Sequence, residues 1–79
     1  MIVHFFARAR DLAGTAWADV SLPEGATVGW LRGHLAQTYP ALASLLERSA
    51  LAVNNEYAAD ATPLSPNAEV ALLPPVSGG

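Results

Sequence analysis

Ala68-Glu69-Val70-Ala71-Leu72-Leu73-Pro74-Pro75-Val76-Ser77-Gly78-Gly79 closes the chain. Its first half is apolar apart from one carboxylate, which reads as a strand from Ala68 to Leu73. Pro74 and Pro75 lack an amide hydrogen and stop that strand. The other strongly apolar stretch is Ile2-Val3-His4-Phe5-Phe6-Ala7, which reads as a strand buried on much of both faces. Two such strands, one from each end of the chain, are expected to lie centrally and side by side.

The segments between them complete the pattern. Arg8 to Gly14 is charged and ends in glycine, which reads as a loop or turn. Ala16, Ala18, Val20 and Leu22 alternate with Thr15, Trp17, Asp19 and Ser21, so a second strand presents one inward face and hairpins back onto the first. Pro23-Glu24-Gly25 closes it. Thr27 is a suitable N-cap for a helix whose apolar stripe is Val28, Leu31, Leu35 and Tyr39. Gly29 and Gly33 each cost that helix about 1 kcal/mol relative to alanine. It must therefore lean on tertiary packing or admit a neighbour close to its backbone. Pro40 ends or kinks it, and Leu42, Leu45 and Leu46 suggest a further short helical turn. Leu51-Ala52-Val53 is a strand, Asn54-Asn55 a turn pair that tolerates left-handed angles, and Glu56-Tyr57 the start of a return strand. Ala58 to Asn67, with Pro63 and Pro66, is irregular.

The resulting order, β-β-α-β-β, is that of a two-layer α+β domain: one mixed sheet covered by one main helix. The ubiquitin-like β-grasp is the small fold that meets it. Residues 1–73 form the expected domain and residues 74–79 an extended, flexible tail. At 79 residues there is one core at most, burying roughly 60% of the surface that the unfolded chain exposes. A hydrophobic content of 52% against 14% charged excludes a disordered chain. The net charge of −3 argues against nucleic acid or an anionic membrane as the main partner. No apolar run approaches the ~20 residues of a membrane span, and no basic-then-apolar segment opens the chain, so the cytoplasm is the expected location. Cysteine is absent, and the four basic residues are Arg8, Arg10, Arg32 and Arg48, with no lysine. Thiolate chemistry, disulfides and Schiff bases are excluded for these residues.

Two stretches resemble the small, sulfur-carrying subunit of molybdopterin synthase, a ubiquitin-like family. One is Phe5-Phe6-Ala7-Arg8-Ala9-Arg10-Asp11-Leu12-Ala13-Gly14, similar to that family's opening strand and Arg-acidic-x-x-Gly loop. The other runs from Asn67 to Gly79 and ends in Pro-Pro-Val-Ser-Gly-Gly, its most specific piece. Val53-Asn54-Asn55-Glu56-Tyr57 is similar to the family's Val-Asn-x-x-hydrophobic turn. Ser65-Pro66-Asn67-Ala68-Glu69 departs from its usual Gly-Asp turn, and the lack of lysine is a second departure. Neither touches a residue that the family needs on this subunit.

The resemblance implies that Gly79 is adenylated by an ATP-using activating enzyme and converted to a thiocarboxylate, with Gly78 beside it. No cofactor or metal is expected to be bound; ATP is used by the activating partner. A terminal carboxylate titrates near about 3.3–3.7, so at neutral pH it is an anion that must gain a leaving group before it can be attacked. With no thiol in the chain, the backbone terminus is the plausible place for sulfur. Glycines at 78 and 79 suit passage through a narrow channel, and Pro74 and Pro75 make the root of the tail semi-rigid. The six residues from Pro74 to Gly79 span at most about 20 Å. The resemblance further implies that the large catalytic subunit of molybdopterin synthase supplies the acid-base groups. This chain would then be a non-catalytic, sulfur-donating subunit.

Docking requires a surface. If Val3 and Phe5 face the helix, Phe6 points away; if Val70 and Leu72 face it, so does Leu73. Phe6 and Leu73 then form an apolar patch at the base of the tail, which Tyr57 extends. The opposite phase would put Phe6 in the core. Partner contacts are thus expected at Phe6, Tyr57, Leu73, Pro74, Pro75, Val76 and Ser77. Arg8 and Arg10 fit either pairing with an acidic partner or plain exposure. His4 and His34 have no second ligand at metal-binding spacing. Trp17 and Trp30 read as packing or part-exposed aromatics; Glu24, Glu47, Glu56 and Asp60 read as solvated surface. Two alternatives remain: a sulfur carrier of another pathway (thiamine, cysteine or tRNA thiolation), and a ubiquitin-like adaptor that carries no sulfur.

Overall fold

Period-two burial organises the sheet. In the computed structural model, which describes residues 1–75, β1 (Ile2–Phe5) buries Val3 and Phe5 and leaves Ile2 and His4 partly exposed. The expectation of a strand buried on both faces is corrected: β1 has one core face, and it ends before Phe6. β5 (Glu69–Leu73) alternates in the same way, with Val70 and Leu72 buried. It runs parallel to β1, pairing Val3 with Val70 and Phe5 with Leu72. β3 (Ala50–Val53) pairs antiparallel with the other side of β5, and β4 (Glu56–Ala58) with β3. β2 (Trp17–Asp19) pairs antiparallel with β1 at the opposite edge. The five-stranded order is β2-β1-β5-β3-β4, so the terminal strands are central neighbours.

The Arg8–Gly14 segment is the main departure. It forms α1 (Ala7–Ala13) where a loop or turn was expected. Ala, Arg and Leu are the best helix formers, and here they outweigh the charge that suggested a loop. Gly14 ends α1 at φ 76°, a left-handed C-cap, its amide donating to the Arg10 carbonyl at 3.0 Å. Ala9 is fully buried, so α1 contributes to the core. β2 is also shorter than the alternation suggested. Its pairing continues on both sides: the Phe5 amide donates to Ala16 and the Val20 amide to Met1, each at 2.8 Å.

α2 (Val28–Thr38) is the main helix. The Thr27 hydroxyl accepts from the Trp30 amide at 3.2 Å, and Val28, Leu31 and Leu35 are buried against the sheet. Tyr39 follows the helix and meets Phe5 edge-to-face, with ring centroids 5.4 Å apart. A 3₁₀ turn (Pro40–Leu42) and α3 (Ala43–Leu46) then bury Leu42, Leu45 and Leu46. The single-helix covering layer is therefore extended by α1 and α3.

The irregular stretch after β4 is tied down by backbone bonds. The Val28 amide donates to Thr62 at 3.0 Å, Gly29 to Asp60 at 2.9 Å, and Leu64 to Ala26 at 2.9 Å. A side chain on Gly29 would sit 3.3 Å from both Cβ and the carbonyl oxygen of Asp60, whereas one on Gly33 would meet nothing within 4 Å. The close approach expected at a helical glycine thus occurs at Gly29 alone. Arg32 adds a side-chain tie. Its Nη1 donates to the Ser49 carbonyl at 2.9 Å and to the Leu46 carbonyl, and its Nε donates to Asp60 Oδ1 at 3.2 Å. Asp60, read as plain surface, is half of that ion pair.

Candidate functional site

The sheet face turned away from α2 is open, and the register places its residues. Ala71 lies between His4 and Ala52, and Ala52 lies opposite Tyr57. These four residues make one row across the sheet. One step toward the end of β5, Leu73 pairs with Ala50. Phe6 follows Phe5, the partner of Leu72, and so comes level with Leu73.

Phe6, Tyr57 and Leu73 therefore converge, as the strand phase predicted for a helix-facing Val3 and Phe5. With Ala52, Asn55 and Ala71 they line an open depression of about 350 Å³. Phe6 is 48% exposed and Tyr57 79%, large values for aromatic side chains; Leu73 is half-buried. The small residues Ala52 and Ala71 make the floor between these larger walls. Ala52, Ala71 and Asn55 escaped the sequence reading, although period two along each strand already puts Ala52 and Ala71 on that face.

Local chemistry explains why the walls stand where they do. Asn54 and Asn55 have φ of 49° and 69°, the left-handed pair required by a two-residue hairpin. Asn54 Oδ1 accepts from the Glu69 amide at 3.0 Å, and the Asn54 amide donates to the Glu69 carbonyl at 2.8 Å. The hairpin is thus pinned to the start of β5, which fixes Tyr57 relative to Leu73. On the other side, the chain leaves β1 at Phe6, whose extended backbone (φ −124°, ψ 155°) turns the ring onto the open face before α1 begins.

Pro74 is half-buried and Pro75 exposed, just beyond the depression. The remaining predicted residues, Val76, Ser77, Gly78 and Gly79, lie outside the described residues. His4 and Phe6 rings are 6.4 Å apart, and His34 stacks on Trp30 at 4.8 Å. No helix among the described residues is long and apolar enough to cross a membrane.

The ThiS family model matches residues 3–79. This chain belongs to the ThiS family. The molybdopterin synthase sulfur carrier subunit of Escherichia coli (strain K12) is 40% identical over 79 residues, covering 98% of this chain and 96% of that protein. The subunit of the same name from Arabidopsis thaliana is 35% identical over 77 residues, covering 98% and 80%. Among solved structures, SAMP1 from Haloferax volcanii superposes with a TM-score of 0.87 at 30% identity, covering 99% of this chain and 97% of that one. A chain of the complex between subunits 1 and 2 of the Helicobacter pylori molybdopterin-converting factor gives a TM-score of 0.71 at 28% identity, covering 99% and 96%. Structural neighbours of this kind establish the ubiquitin-like β-grasp. In this ThiS-family domain, the open-face depression and the root of the C-terminal tail are adjacent.

Proposed function

We propose that this chain is the sulfur carrier of molybdenum cofactor biosynthesis. Gly79 is its reacting end. A carboxylate oxygen of Gly79 attacks the α-phosphorus of ATP in an activating enzyme, and pyrophosphate leaves. The terminal sulfur of a persulfide then attacks the acyl carbon and AMP leaves; a thiol attacks the inner sulfur of the resulting acyl disulfide, which releases the thiocarboxylate and leaves a disulfide on the donor side. The thiocarboxylate so formed donates its sulfur to the pterin precursor within the large synthase subunit, and water supplies the oxygen that regenerates the carboxylate. ATP belongs to the activating partner.

The observation that carries this reading is the apolar depression of Phe6, Tyr57 and Leu73 at the root of Pro74-Pro75, in a chain ending Ser-Gly-Gly. An exposed apolar patch of this kind suits a protein partner, and the tail that begins beside it reaches about 20 Å at most. The Escherichia coli and Arabidopsis relatives, both molybdopterin synthase sulfur carrier subunits by name, support molybdopterin synthesis over the other sulfur-carrier pathways. The Helicobacter complex supports a large-subunit partner on this chain as well. The absence of cysteine and lysine supports a subunit that donates sulfur and leaves catalysis to its partner. The reaction takes place in the cytoplasm on this reading.

Reconstitution tests it. The thiocarboxylate form with the large subunit is expected to convert the pterin precursor, and neither component alone is expected to do so. Product from the small chain by itself would overturn the division of labour.

A further inference from the structure

Trp17 lies outside the depression but on the same face of the sheet. It pairs with His4, and His4 alternates with the buried Val3 and Phe5, so the indole stands on the side turned away from α2. Its row runs Trp17, His4, Ala71, Ala52, Tyr57, from one edge of the sheet to the other. Trp17 is 54% exposed, and the other exposed large hydrophobic side chains among the described residues are Phe6 and Tyr57. All three share this one face. The second tryptophan, Trp30, is half-buried on α2 and stacks on His34.

The two apolar areas are continuous. The His4 ring lies 6.4 Å from the Phe6 ring and so bridges Trp17 to the wall of the depression. Four inter-strand steps of about 4.8 Å make the row about 19 Å wide. The depression spans only β1 to β4, and its volume of about 350 Å³ is that of a small-ligand pocket. A stable protein complex covers about 800 Å² on each partner, whereas transient encounters manage with less. Beside the aromatic row the surface turns polar. Asp19 and Glu69 flank Ile2 in the next row, and both are exposed. Asp19 lies 3.4 Å from the Met1 ammonium, whereas Glu69 joins no ion pair among the described residues. An apolar centre with a charged rim is the anatomy of a protein interface.

We propose that Trp17 is a partner-selecting contact. The large synthase subunit covers the full width of this face, from Tyr57 to Trp17, and sets a basic group against Glu69; the activating enzyme engages the depression alone. The inference rests on the large subunit being the partner, as in the proposed function. A complex that holds its sulfur donor through a reaction needs the wide footprint, and activation is an encounter that ends in release. Tryptophan is among the residues that most often dominate interface energies, and here it stands where only the wider footprint reaches.

Fluorine NMR on the full-length chain labelled with fluorotryptophan tests this directly. The two tryptophans give separate resonances, assigned with Trp30→Phe. Each is followed as the unlabelled large subunit or the activating enzyme is added. With the large subunit, the Trp17 resonance is expected to move and to lose its response to exchange of water for heavy water. With the activating enzyme it should keep that response, and Trp30 should stay unchanged in both complexes. In calorimetry, Trp17→Ala should weaken large-subunit binding tenfold or more at an unaltered unfolding midpoint, and Trp17→Phe should recover most of the loss. The half-saturation of ATP–pyrophosphate exchange should move less than threefold in Trp17→Ala. A Trp17 that remains solvent-exposed in the large-subunit complex overturns the inference, as does equal protection or equal loss with both partners. Failure of the unsubstituted chain to associate with the large subunit instead removes the proposed function, and the inference with it.

Discussion

Phe5 and Phe6 stand one step apart in a two-residue repeat. Phe5 packs beneath the sheet against Tyr39, whereas Phe6 is exposed beside Leu73 and Tyr57. Phe5→Ala is therefore expected to lose about 3–5 kcal/mol of stability, read by denaturant unfolding. Phe6→Asp should stay within about 0.5 kcal/mol of the parent while weakening binding to the large subunit tenfold or more in calorimetry. A large fall in melting temperature with unchanged affinity would return Phe6 to the core. The two helical glycines separate in the same manner. Gly33→Ala meets open space and should stabilise by about 0.5–1 kcal/mol, the ordinary helix preference. Gly29→Ala drives a methyl to 3.3 Å from Asp60 and should recover less than Gly33→Ala, or lose stability outright. Equal gains at both sites in thermal unfolding would show that the loop yields freely.

At the scale of elements, local signals were legible where one device dominates. Thr27 before Val28-x-x-Leu31-x-x-x-Leu35 announced α2, and the cap bond to Trp30 is present. Thr27→Ala should cost about 1 kcal/mol, measurable in urea. Asn54-Asn55 announced its hairpin in the same direct way, because few residue pairs accept two left-handed conformations. α1 was hidden because its helix formers are interleaved with charge over only seven residues, too short for a stripe to show. Its burial rests on Ala9, whose side chain carries little hydrophobic signal. The Arg32 tie was hidden for another reason. Its acceptors are main-chain carbonyls 14 and 17 residues away, and a carbonyl has no residue-type signature. Arg32→Ala leaves those carbonyls and Asp60 without their donor. It should lower stability by about 1.5–3 kcal/mol, as expected for bonds made by a charged group, with the loss read by denaturant unfolding. The open-face depression was half legible: its walls are large residues with a clear phase, and its floor is alanine.

For the whole molecule, the parallel β1–β5 pair at the centre of the sheet is what joins the open-face depression to the root of the tail. β5 runs through the core and ends at Leu73, so the residue that walls the depression is also the last before Pro74-Pro75. On the proposed function, a partner seated on Phe6 and Tyr57 is positioned at the origin of the tail, and the reach of Gly79 is set by the six residues from Pro74. Gly79 lies outside the described residues, and its removal leaves every residue of the described core in the chain. The shortened chain should unfold at the parent's midpoint yet support no ATP–pyrophosphate exchange with the activating enzyme; normal exchange would place the reacting group elsewhere. The most direct measurement is the intact mass, followed by the C-terminal peptide mass, of the chain after incubation with its activating enzyme, ATP and a persulfide donor. Replacement of one oxygen by sulfur, confined to Gly79, is the predicted result. An unchanged mass in a mixture that consumes ATP, or sulfur found on any other residue, would contradict the account.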